Sequence, residues 1–122
     1  MDYKNLCKRI MALDSNIENV FLVSSEARLL AFSGIEVKGE MDEDRVAELM
    51  EDFLFMVTSR KHFEDLFGIL RYLHIRHNRS DTFLLPFEND KLMCVCLRTL
   101  EYDEPRFLRK IQDSLRSIYR YA

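Results

Sequence analysis

The residue types best able to do chemistry sit close together in the second half of the chain. His74 and His77 belong to "YLHIRHN" (72–78), and Cys94 and Cys96 to "LMCVC" (92–96). Imidazole and thiolate are the usual ligands of zinc, and a Cys–His pair is also the core of a thiol nucleophile. Structural zinc sites space their ligands as paired Cys-x-x-Cys or His-x₃₋₅-His, and neither spacing occurs. On a strand, His74 and His77 point to opposite sides, so one ion does not collect both. Cys94 and Cys96 share a face but lie in the most hydrophobic run, where a thiol behaves as a small core residue. There is no glycine-rich phosphate loop and no serine in a Gly-flanked elbow. The expectation is no metal, no cofactor and no catalytic residue: a protein that is not an enzyme.

These residues must be positioned by a chain of 122 residues, the length of a single domain spanning 1–122. Hydrophobic residues make up 48% and charged residues 32%, enough for a core and unlike a disordered tail. A formal net charge of −3 gives no general reason to expect nucleic acid. Cys7, Cys94 and Cys96 are an odd number without framework spacing, which fits reduced thiols in a cytoplasmic protein. The opening "MDYKNLCKRIM" is charged and patterned, unlike a signal peptide. No apolar run approaches the roughly 20 residues of a transmembrane segment.

The elements follow from periodicity. Asp2 caps a helix with Tyr3, Leu6, Ile10 and Leu13 on its apolar face. "ENVFLVSSEARLLAFSG" reads as a hairpin around "SSEAR" (24–28). The acidic "GEMDEDR" opens a long helix with Val46, Leu49, Met50, Phe53, Val57 and Phe67 inward and Gly68 as its stop. Strands are expected at Ile69–His77, Thr82–Phe87 and Lys91–Arg98, joined by the short polar turns "NRSD" and "END". Asp103 or Glu104 with Pro105 starts a last helix with the stripe Leu108, Ile111, Leu115 and Ile118. The order αββαβββα, with strands apolar on both faces, implies an α+β domain whose sheet is covered on both sides.

That order resembles the roadblock/LC7 family. Gly68, "ILRYLHIRH", "TFLLPF" with Pro86, the turn "END" and "LMCVCL" are similar to the family's way of writing its last three strands. "RKHFEDLFG" (Arg60–Gly68) resembles the helix end of short archaeal roadblock-like proteins. The family often has a glycine in its first hairpin turn, where this chain has "SSEAR". The resemblance implies a five-stranded antiparallel sheet with the long helix on one face and the terminal helices on the other, a profilin-like three-layer sandwich. It also implies dimers built around the long helix and the third strand, and proteins that act as scaffolds or regulate small Ras-like GTPases.

The long helix supports a dimer on its own residues. Phe55 falls opposite the inward stripe, beside Glu48, Glu51, Ser59 and His62, with Leu66 on the same outer side. Because Phe55 is near the middle of the helix, a two-fold axis there would set Phe55 against Phe55 of a second, antiparallel chain. The charges agree: Asp42, Glu43, Asp44, Glu48, Glu51 and Asp52 in the first half face Arg60 and Lys61 in the second. Arg71, Leu73 and Ile75 on the third strand complete the expected interface, provided that strand is a sheet edge.

On the last helix Arg106, Arg109, Lys110, Arg116 and Arg120 share one face, a candidate docking stripe for an acidic partner or anionic surface. The function expected is a homodimeric scaffold binding or regulating a small GTPase or a GTPase-containing complex. The alternatives are a small-molecule sensor using a pocket between helix and sheet, and an adaptor that docks to anionic surfaces through the basic helix.

Overall fold

Apolar periodicity places the elements, and where it misses it does so mainly at their ends. The computed structural model describes residues 2–34, 43–98 and 102–119. In chain order these form α1 (Tyr3–Met11), β1 (Ile17–Ser24), β2 (Leu29–Gly34), α2 (Glu43–Lys61), α3 (Glu64–Phe67), β3 (Leu73–Arg76), β4 (Ser80–Phe87), β5 (Lys91–Arg98) and α4 (Glu104–Tyr119). All five strands join one antiparallel sheet in the order β2-β1-β5-β4-β3. The third strand is therefore an edge.

The period-two alternation of the strands divides the core into two layers. Val20, Leu22, Phe83, Leu85, Met93, Val95 and Leu97 meet α1 and α4 through Leu6, Ile10, Phe107, Ile111 and Leu115. On the opposite face Phe21, Val23, Leu84, Leu92 and Cys94 meet α2 through Met50, Phe53 and Val57. This is the expected three-layer order, with the long helix on one side and the two terminal helices on the other.

Both terminal helices are capped by aspartate. The Asp2 carboxylate accepts from the Asn5 N–H at 3.0 Å, and Asp103 accepts from the Arg106 N–H at 3.1 Å. The inward face of α4 is turned slightly from the expected stripe: Phe107, Ile111 and Leu115 are buried and Leu108 only partly so. The side chain of Ile118 lies outside the described residues, as does Asp42 before α2.

The long helix is shorter than expected. It ends at Lys61, and a separate four-residue turn, α3, carries Leu66 and Phe67. The reason is in the stripe itself: after Val57 the next inward positions are Arg60, Lys61 and Glu64, which have nothing to bury. The backbone tightens there, with the Phe63 N–H bonding to the Arg60 carbonyl at 3.1 Å. Phe67, expected inside, is 76% exposed. Gly68 still stops the helical run, at φ +88.

The third strand is also shorter. The His77 N–H donates to the Ser80 carbonyl at 2.9 Å, so hydrogen-bonded pairs in the β3–β4 ladder recur at Ile75/Thr82 and Leu73/Leu84. The next such pair would be Arg71 with Pro86, and Pro86 has no N–H to give. The ladder stops at Leu73, and Ile69 is left 81% exposed.

Candidate functional site

Two arrangements carry the interest: an apolar outer surface running from α2 to β3, and a buried charged cluster between β3 and α4.

Phe55 stands on the outer side of α2 and is 71% exposed, with Glu48, Glu51 and Ser59 exposed beside it. His62 is exposed just past the end of α2, and Leu66 belongs to α3 and not to the long helix. Phe63, Leu66, Phe67, Ile69 and Tyr72 continue the exposed apolar series toward β3. The Arg60 guanidinium lies 5.6 Å from the ring centroid of Phe63 and 5.8 Å from that of Phe67, which orders this segment. Arg71 is exposed ahead of β3, whereas Leu73 and Ile75 are half-buried and pack into the α2 layer. Since Leu73 and Ile75 aim their backbone groups at β4, those of His74 and Arg76 point to the open side of the sheet.

Of the basic stripe, Arg106, Arg109 and Arg116 are exposed on α4 and Lys110 is half-buried; Arg120 lies outside the described residues. Arg116 approaches Asp113 to 3.8 Å.

The thiols and histidines that opened the question are kept apart by the pleat. Cys94 and Cys96 face α2. His74 faces α4, its ring stacked on Phe83 with centroids 4.3 Å apart, and His77 lies beyond β3. Burial pushes the Cys7 and Cys96 thiols up to about 11 and Cys94 well above the ordinary thiol value, which keeps all three protonated and poor nucleophiles at neutral pH.

The unexpected group is the one around Asp81. Its side chain is fully buried, and the register places it directly across from Arg76 on the α4 side of the sheet. Arg76 makes a forked contact, Nε at 3.2 Å from both carboxylate oxygens and Nη2 at 2.8 Å from Oδ2, and Nη2 also bonds to Glu104. The Tyr102 hydroxyl donates to the same Oδ2 at 2.5 Å. The His74 Nε2 lies 3.4 Å from Oδ2, and Nδ1 lies 3.9 Å from Glu104. Burial, and then the bond to Asp81, push the Tyr102 phenol up to about 12; the bond to Asp81 raises Arg76 further. A cleft of about 480 Å³ between β3 and α4 opens beside the cluster, lined by Tyr72, His74, Glu104, Leu108 and Arg109 among others. Asp81 escaped the sequence reading because it was assigned to a turn. The signal lay in the antiparallel register, which pairs His77 with Ser80 and sets Arg76 opposite Asp81 once the turn is the two residues Asn78 and Arg79.

No protein-family model matches the sequence, and no curated protein matches it. Solved structures do. The roadblock/LC7 domain from Streptomyces avermitilis superposes with a TM-score of 0.78 at 13% identity, over 99% of this chain and 98% of that one. Myxococcus xanthus MglB follows the chain with a TM-score of 0.74 at 15% identity, over 98% and 95%. A structure of MglB with a tetrameric arrangement matches with a TM-score of 0.66 at 7% identity, over 93% and 87%. At these identities the likeness is one of fold, and it extends over nearly the whole chain. The protein has the roadblock/LC7 fold, as its sequence pattern implies.

Proposed function

We propose that the chain is a non-enzymatic homodimeric interaction module that binds or regulates a small Ras-like GTPase or a GTPase-containing complex. The observation that carries the assembly is the exposed Phe55 near the middle of α2, followed along the chain by the exposed apolar residues of the α3 segment and by the edge strand β3. Large apolar groups gathered on one outer surface beside an open strand edge mark a contact surface, not a solvated one. Antiparallel apposition of α2 with its copy sets Glu43, Asp44, Glu48, Glu51 and Asp52 against Arg60 and Lys61. Glu48, Glu51, Phe55, Ser59, His62, Leu66, Arg71, Leu73 and Ile75 are the residues proposed for this interface.

The GTPase rests on the roadblock/LC7 resemblance, now supported by the fold. In this reading the basic stripe of α4 is the docking surface. It lies in the layer opposite α2, so a dimer formed through α2 leaves it open. The partner is held by surface complementarity, since Cys7 and Cys94 are buried, Cys96 is half-buried, and burial keeps all three protonated and poor nucleophiles.

The test uses the intact chain and a panel of purified Ras-like GTPases, each loaded with GDP or a non-hydrolysable GTP analogue. The reading expects binding to at least one, dependent on nucleotide state, weakened by added salt and by Arg109→Glu with Arg116→Glu. Single-turnover hydrolysis and nucleotide release then show whether the partner is activated, exchanged or only held. Absence of binding across a panel drawn from the source organism's own GTPases would contradict the GTPase assignment while leaving the dimer standing.

A further inference from the structure

The Asp81 cluster has a geometry that a structural ion pair does not require. One imidazole nitrogen and one oxygen from each of two carboxylates, those of His74, Asp81 and Glu104, all lie within 4.8 Å of one another. The His74 Nε2 to Asp81 Oδ2 separation is 3.4 Å. Two ligand atoms at 2.0–2.1 Å from a tetrahedral ion stand about 3.3 Å apart, so this pair already spans one edge of such a site. Nε2 is buried and has no hydrogen-bond partner among the described residues, and stacking on Phe83 fixes the plane of its ring. Asp81 is held in turn by the Tyr102 hydroxyl, as an outer partner holds a ligating carboxylate.

Between the two carboxylates sits the Arg76 Nη2, bonded to both. We infer that His74, Asp81 and Glu104 form a site for a divalent transition ion of the zinc class, in which Arg76 serves as the resident counter-cation. Two carboxylates facing one guanidinium leave an excess negative charge, which a divalent ion would offset. Arg76 and Glu104 are the two members able to move, their side chains being 53% and 41% exposed. Glu104 begins α4 beside the cleft, which supplies an entry path and room for a bound water as fourth ligand. A nitrogen and two oxygens suit zinc, and three protein ligands with an imidazole among them are too few and too soft for calcium. The sequence expectation was of no metal in the chain, argued from the His74/His77 and Cys94/Cys96 set, and the inferred site departs from it. The inferred site uses His74 with two carboxylates that no motif brings together.

Calorimetric titration of chelator-treated full-length protein with Zn²⁺ alone tests this, comparing wild type, Arg76→Gln and His74→Gln. The expected result is one ion per chain in the wild type, binding about tenfold tighter in Arg76→Gln once the competing cation is gone. In His74→Gln binding should weaken by about tenfold or more. A Co²⁺ spectrum of the wild type should show ligand-field bands without thiolate charge transfer, separating this site from Cys7, Cys94 and Cys96. Equal binding by wild type and His74→Gln, a thiolate spectrum, or no binding by any of the three overturns the inference. If Arg76→Gln fails to fold, the comparison of wild type with His74→Gln decides alone.

Discussion

Ala27 shows how one residue can carry local strain without disturbing the fold around it. In the turn between β1 and β2 it adopts φ 62, a left-handed conformation that glycine takes freely. The turn closes because the Ser24 hydroxyl accepts from the Glu26 and Arg28 N–H groups, each at 3.2 Å. Ala27→Gly should therefore raise the unfolding free energy by about 0.5–1 kcal/mol in urea titration. Tyr102 makes the opposite kind of contribution. Its hydroxyl serves a buried carboxylate, and Tyr102→Phe should cost about 1.5–3 kcal/mol while leaving the helix content unchanged by circular dichroism. The thiols give a pH dependence with a definite sign. Cys7 and Cys96 titrate near 11 in the fold against an ordinary 9.0, so burial favours the neutral form. Stability is fully present below pH 9 and falls between pH 9 and 11, by up to about 1.4 kcal/mol per pH unit for each thiol. Cys96→Ala should flatten the decline in urea midpoint across that window; an unchanged slope would show that Cys96 does not contribute to it.

Elements were legible wherever one face had a continuous apolar supply. Phe53 and Val57 fix the inward side of α2, and Leu92, Met93, Cys94 and Val95 announce a strand buried on both faces. The end of α2 was misplaced because Phe67 lies at a plausible inward spacing, although Arg60 and Glu64 break the stripe before it. The start of β3 was misplaced because its limit is set by Pro86 on another strand, information that no local pattern holds. The exposure of Phe55 could be anticipated, since a large apolar side chain opposite the stripe is visible in a helical projection. Of the Asp81 cluster only the β3 side, with Arg76 opposite Asp81, is written in the hairpin register, because the other partners come from the segment before α4 and from α4 itself. Ile111 is fully buried between the sheet and α4, and Ile111→Ala should cost about 2–5 kcal/mol. Arg109→Ala on the exposed side of the same helix should change stability by less than about 0.5 kcal/mol.

Across the whole molecule, the two layers divide the work. The face of the sheet covered by α1 and α4 contains the larger core and the Asp81 cluster, which ties β3 to the start of α4. On the other face, covered by α2 among the described residues, Phe55 is exposed on the outer side of the helix, and β3 is an edge strand of the sheet. A second copy placed on that side would cover Phe55, Leu66 and Ile69 and leave the basic stripe of α4 free for a different protein. The dimer is therefore the claim on which the rest of the functional account depends. The direct measurement is the solution mass by light scattering, for the wild type and for Phe55→Glu. The wild type should have twice the chain mass, and Phe55→Glu should be a folded monomer. A wild type that is already monomeric at micromolar concentration, or a Phe55→Glu chain that remains a dimer, would contradict that claim.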